Sequence, residues 1–299
     1  MAAPVRLYAR ALRRPLPGTG SRGGSESLPD LVVRRAGVRT DVDHLAACAR
    51  LTGHVLADRL PGLYPHLAAF GPQLQLVCDR RFPFPPLGLV HLSNTVVQHR
   101  PLLVSDTYDL EVRVGRLRAH RVGRLVDLET TATVDGQVVW EQTTTALTRG
   151  GGGDLQVSET STLAGVDAPV GQTRWRVPAD VGRAFARVSG DVNPIHLSRL
   201  TARLFGFPRA IAHGMWTAAR ALAAVERELP GAYRYDVAFR KPVLLPATVR
   251  LGAAPAPGGG LLLGVVSADA SRTHLVARLR SLPAAGGRAC RGQVYGPAG

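Results

Sequence analysis

The run GRLVDLETTATVDGQVVWEQTTTALT, Gly123 to Thr148, decides the fold class. Apolar and polar residues alternate on both sides of Asp135-Gly136, a dipeptide suited to tight hairpin turns because both positions accept positive φ. Two antiparallel strands, Gly123–Val134 and Gln137–Thr148, are the direct reading. Upstream, Leu87–His99 and Tyr108–His120 alternate in the same way, so four strands follow one another without a helix between them. Ahead of them Val42–Asp58 reads as a helix, with Leu45, Ala49, Thr52 and Leu56 near helical spacing. A stretch rich in proline and aromatic residues, including GLYPHLAAFG and FPFPPLG, separates that helix from the strands.

Beyond a Gly/Ser/Thr-rich linker, the second half repeats this plan. Pro178–Val188 and Leu197–Phe205 read as short helices, and His213–Glu228 as a strong one stopped by Leu229-Pro230-Gly231. Extended runs follow at Tyr233–Val243, Thr248–Ala254, Leu261–Ala268 and His274–Ser281. Helices followed by antiparallel strands make each half α+β rather than βαβ. Two echoes point to an internal duplication. Ala49-Arg50-Leu51-Thr52-Gly53-His54 parallels Ala186-Arg187-Val188-Ser189-Gly190-Asp191, and Val97-Gln98-His99-Arg100-Pro101 parallels Ala238-Phe239-Arg240-Lys241-Pro242. Carried across the first echo, Asp191 falls on His54 and His196 on Arg59, so chemistry at that place would exist once.

Composition narrows the classes. Of 299 residues 45% are hydrophobic, enough for a real core, and no run of about eighteen uncharged apolar residues suggests a membrane span. Cys48, Cys78 and Cys290 are scattered without metal-ligand spacing, which suits a reducing cytoplasm. The net charge of +15 raises nucleic-acid binding. The basic residues are nevertheless dispersed and almost all arginine, Lys241 being the only lysine, and no aromatic platform is interleaved with them. The arginine-rich, acid-free start of the chain reads as a tail, with a targeting segment as the alternative.

Chemistry concentrates in SGDVNPIH, Ser189 to His196, and IAHGM, Ile211 to Met215. Pro194 keeps Asn193 out of helical conformation, so Asp191 and His196 sit on a turn that swings both side chains to one side. A carboxylate and an imidazole in one small volume suit proton transfer near neutral pH. A metal half-site, with His213 as third ligand, and a polar loop with Asp191 as a cap remain open on spacing alone. Gly214 opens the strong helix, where free N–H groups can stabilise a developing oxyanion.

SGDVNPIH, followed by Ala202, Gly206-Phe207 and IAHGM, resembles the MaoC-like, (R)-specific hydratase/dehydratase family without a break over Ser189–Met215. LPGLYPHLAAFG and DRRFPFPPLGLVH resemble the amino-terminal part of actinobacterial 3-hydroxyacyl-thioester dehydratases. The resemblance implies a double hot dog, two antiparallel sheets each wrapping a central helix in one chain. The implied organisation is a tail at 1–29, a degenerate acyl-chain-binding half at 30–149, a linker at 150–171, a catalytic half at 172–285 and a tail at 286–299. The central helix of the first half is expected to be shortened or irregular, its Pro-rich stretch leaving room for a long acyl chain.

The implied reaction is reversible dehydration of a (3R)-hydroxyacyl thioester to the trans-2-enoyl thioester. Asp191 and His196 match the catalytic dyad, Asn193 a residue that orients it, and Gly214 the backbone donor to the thioester oxygen. Ser189, Ile195 and His213 stand beside them as substrate-binding residues, with Arg240 and Lys241 near the pantetheine of coenzyme A or acyl carrier protein. No metal or other cofactor is implied, and a homodimer of double hot dogs in the cytoplasm is the expected assembly, without nucleic acid or membrane. A non-catalytic acyl-thioester-binding subunit and a hot-dog thioesterase are the rival readings.

Overall fold

A computed structural model describes residues 28–149 and 161–283. The expected tail up to residue 27, linker residues 150–160 and the C-terminal tail with Cys290 lie outside the described residues. In the first half, β1 (Val32–Val38), α1 (Val42–Thr52) and α2 (Tyr64–Cys78) precede β2 (Leu89–Gln98), β3 (Tyr108–His120), β4 (Gly123–Val134) and β5 (Gln137–Arg149). The second half begins with β6 (Thr173–Val177), α3 (Val181–Ser189), α4 (Arg199–Arg203) and α5 (Gly214–Ala223). It ends with β7 (Tyr233–Phe239), β8 (Ala247–Pro255), β9 (Leu261–Ser267) and β10 (Thr273–Ser281).

The strands form one antiparallel sheet in the order β1-β3-β4-β5-β2-β7-β10-β9-β8-β6. Each half therefore runs, from edge to centre, through its first, third, fourth, fifth and second strands, as the expected duplication requires. The halves join where β2 pairs with β7, and Thr95 lies directly opposite Asp236. Those two residues are also equivalent under the second echo, so a local two-fold axis passes between them. Thr95 Oγ1 donates to Asp236 Oδ1 at 2.8 Å. The helices pack on one face, anchored by Trp140 Nε1–H to Gly62 O and Tyr235 O–H to Ala218 O. Trp140 and Tyr235 are fully buried, in a hydrophobic core that runs through both halves. No described helix is long and apolar enough to cross a membrane.

Several expectations change. Helix α1 ends at Thr52 rather than Asp58, because Gly53 takes a left-handed conformation (φ 81°) and its N–H bonds Ala49 O. Gly190 ends α3 in the same way (φ 74°). The supposedly shortened or irregular central helix of the first half is α2, fifteen residues long and longer than α5. Pro65 falls in its first turn, where no N–H is needed. Pro72 frees the carbonyl of Ala68, and Arg35 Nη1 on β1 donates to it at 3.4 Å. Helix α5 ends at Ala223, with only a 3₁₀ turn at Glu226–Glu228 beyond it. Residues 161–171, read as linker, lie against the sheet: Leu163 is fully buried in a small cluster with Ala238, Ala256, Leu262 and Val276.

The register of the duplication also shifts. Leu60 N–H bonds Leu102 O, and Val104 N–H bonds Asp58 O. The mirror bonds are Ala212 N–H to Val243 O and Leu245 N–H to Ala210 O. Arg59 bridges Leu103 just as Ile211 bridges Leu244. Arg59 is therefore the counterpart of Ile211, not of His196. The path from Gly190 to Ile211 is fifteen residues longer than that from Gly53 to Arg59. This extra length holds the 3₁₀ turn Pro194–His196 and α4, for which the first half has no equivalent.

Candidate active site

Helix α3 delivers the site. Its left-handed Gly190 turns the chain so that Asp191 emerges beside the N-terminus of α5. Ser189 Oγ–H donates to Phe185 O at 2.8 Å and accepts from Asp191 N–H at 3.1 Å. Asp191 Oδ1 then accepts from Asn193 N–H at 3.1 Å, and Asn193 Oδ1 accepts from Ile195 N–H at 3.4 Å. These successive side-chain-to-backbone turns hold the loop in one shape. Pro194 starts the 3₁₀ turn that carries His196. The Ile195 carbonyl takes Ile211 N–H at 3.1 Å, tying this turn to the bridged segment before α5.

His196 is buried, with Nδ1 2.8 Å from the carbonyl of Ile211. A carbonyl only accepts, so Nδ1 carries the hydrogen and Nε2 keeps its lone pair. Burial holds its pKa below the ordinary imidazole value, while the nearby Asp191 carboxylate pulls it back up. His213 stacks on His196 with ring centroids 3.6 Å apart and donates from Nε2 to the Asp191 carbonyl at 3.0 Å. Burial and the neighbouring His196 push its pKa down to about 3. His213 is therefore neutral at pH 7, and its 3.6 Å approach to Asp191 Oδ2 is not an ion pair.

Asp191, His196 and His213 place one potential ligand atom each within 4.8 Å of one another. Two acceptors at that separation can share one bridging water, which spans up to about 5.6 Å at ordinary hydrogen-bond lengths. The same donor types would suit zinc, but Nε2 of His213 is already committed to the Asp191 carbonyl. Gly214 is the first residue of α5, so its N–H has no partner within the helix. A Cβ there would lie 3.0 Å from the Phe239 ring of β7. Across the join, His91 of β2 packs on Phe239 with centroids 4.7 Å apart. The Asp191 charge raises the pKa of both His91 and His66, against a larger lowering by burial. First-half side chains thus reach the field of the site, which no local spacing in the sequence discloses.

The structure gathers Ser189, Asp191, Asn193, Ile195, His196, His213 and Gly214 into one place, and it does not add Arg240. Phe239 faces Gly214, so strand alternation turns Arg240 to the opposite face, where Nη2 donates to Leu163 O at 2.6 Å. Lys241 is exposed just past the end of β7. In the first half, His54 stands where Asp191 would be. It is buried, its Nδ1 bonds Thr52 Oγ1, and burial with the nearby Arg220 cation pushes its pKa down to about 4.

The family model described as MaoC like domain matches residues 160–254. The 3-hydroxyacyl-thioester dehydratase X of Mycobacterium tuberculosis is 38% identical over 267 residues, covering 86% of this chain and 92% of that protein. The chain belongs to the MaoC-like dehydratase family. The crystal structure of Mycobacterium tuberculosis HtdX matches this MaoC-like chain with a TM-score of 0.74 at 38% identity, over 84% of this chain and all of that one. A second Mycobacterium tuberculosis protein, described as a double hot-dog fold, matches with a TM-score of 0.54 at 19% identity, over 86% of this chain and 96% of that one. The latter shows the fold alone. The MaoC-like chain is a double hot dog and a hydro-lyase by family.

Proposed function

We propose that this chain hydrates trans-2-enoyl thioesters to (3R)-hydroxyacyl thioesters and catalyses the reverse dehydration, with Asp191 and His196 as the proton-transferring pair. The observation that carries this reading is the Nε2 lone pair of His196 beside the Asp191 carboxylate, next to the open N-terminus of α5. In hydration the pair holds a water that attacks C3, and a proton is delivered to C2. In dehydration one group removes the C2 proton and the pair protonates the departing hydroxyl. The two groups share one small volume, so the protons are assigned to the pair.

The Gly214 N–H bonds the thioester oxygen and strengthens as enolate character develops, which favours the transition state over the ground state. Asn193 holds the loop that carries Asp191. His213 packs against His196 and fixes the Asp191 main chain. These groups supply every proton and the oxyanion contact, so the substrate carrier is the only cofactor the reading requires. The carrier is coenzyme A or acyl carrier protein, with exposed Lys241 available to a phosphate. A homodimer of double hot dogs and a cytoplasmic setting belong to the same proposal.

The test is a chiral product assay on a chain-length series of trans-2-enoyl-CoA substrates. The expected product is (3R)-hydroxyacyl-CoA. Asp191→Asn and His196→Ala are each expected to lower kcat by about 10² or more while keeping the wild-type circular dichroism spectrum. Near-normal turnover in both variants would overturn the assignment.

A further inference from the structure

We infer that His44, in the half without the dyad, is a positioning residue for the catalytic loop, holding it through the C-terminus of α3. His44 Nε2 lies 2.7 Å from Val188 O, and His44 Nδ1 lies 2.8 Å from the hydroxyl of Tyr64. The carbonyl only accepts, so Nε2 donates; in the neutral ring Nδ1 then accepts from Tyr64. Burial holds the Tyr64 phenol above its usual range, which keeps its proton in place.

The last carbonyls of a helix have no partner within it. In α3 the Ala186 carbonyl is taken by Gly190 N–H, and the Val188 carbonyl falls to His44. Val188 directly precedes Ser189, whose hydroxyl holds Asp191 N–H, and Asp191 in turn holds Asn193 N–H. A shift at Val188 is therefore passed on to the reacting carboxylate through these two bonds.

The duplication shows that this contact is built rather than incidental. Leu51 is the counterpart of Val188 under the first echo, and its carbonyl accepts from Trp216 Nε1–H of the opposite half at 3.0 Å. The β-bridges that equate Arg59 with Ile211 also equate Tyr64 with Trp216. Each half thus caps the other's helix from the same place. Trp216 spans the gap directly, whereas the shorter Tyr64 reaches Val188 through His44.

The inference rests on the hydratase reading, and two readouts keep them separable. His44→Phe fills similar space without a donor, and His44→Gln restores an N–H. In His44→Phe, kcat is expected to fall about 10- to 100-fold with KM within about twofold, since a displaced loop costs turnover rather than binding. The amides of residues 190–196 should exchange with deuterium faster than in the wild type. His44→Gln should recover most of both, and Tyr64→Phe should show a smaller loss in the same direction. An unchanged exchange pattern and kcat in His44→Phe would overturn the inference. So would equal losses in both His44 variants that merely follow the fraction of folded protein. A wild-type chain inactive on enoyl thioesters sinks the hydratase reading instead, and exchange still decides the role of His44.

Discussion

His54, His66, His196 and His213 are buried, and desolvation is the first cause that depresses each of them. His91 is held down to about 3 in the same way, and His54 to about 4. An unfolded chain returns them to about 6.5. Above that value both states are neutral and nothing is lost. As pH falls below it the unfolded chain takes up protons that the native protein refuses, so stability declines until the folded pKa is reached. Each such histidine steepens the decline by up to about 1.36 kcal/mol per pH unit. Melting temperature is expected to drop from pH 7.5 to 4.5, and His54→Gln should flatten that drop. A melting temperature that rises on acidification would contradict this picture. At this scale the turn that holds Asp191 and His196 was legible, but its spacing left a metal half-site and a polar loop open, and only the family resemblance pointed to a dyad. His44 was hidden, since its partner Val188 lies 144 residues away.

Helices and strands were legible to the extent that their signal was local. Period-two alternation placed β2 to β5 and β7 to β10 close to their observed bounds, and Asp135-Gly136 turns with positive φ at both positions. The edge strands β1 and β6 went unread: VVRRAGV carries little alternation, and TRWRV alternates over only five residues. Helix α2 was concealed by its two prolines, which are tolerable only because of the first-turn position and of Arg35. Helix α3 bears a constraint that its glycine did not advertise: a Cβ on Gly182 would lie 2.1 Å from the backbone oxygen of His196. Gly182→Ala must push the catalytic turn away from the helix. Steady-state kinetics should show kcat down about 10- to 100-fold, with a stability loss of about 1–3 kcal/mol by urea unfolding. Wild-type kcat in that variant would show that the packing of α3 on the turn is unimportant.

The molecule is held together across its middle by backbone pairing of β2 with β7, by Trp216 and His44, and by Glu226 Oε2 accepting Val55 N–H at 2.8 Å. Continuity therefore does not depend on the peptide between the halves. A protease site placed within residues 150–160 and then cut should leave fragments that co-elute, unfold in one transition and retain activity. Separation of the fragments under native conditions would refute this. The duplication itself was readable from its two echoes, but the extra fifteen residues around the dyad misaligned Arg59, because no local pattern marks an insertion. The axis between Thr95 and Asp236 has an evolutionary consequence. Two copies of the second half, arranged about that same axis, would set Asp236 against Asp236, and like charges directly opposite repel. Two copies of the first half would set Thr95 against Thr95 and lose the charged acceptor that Thr95 Oγ1 now reaches at 2.8 Å. The second half prefers its non-identical sibling to itself. With Asp236 in place that half is committed to an unlike partner, and the commitment sits at a single residue on the axis.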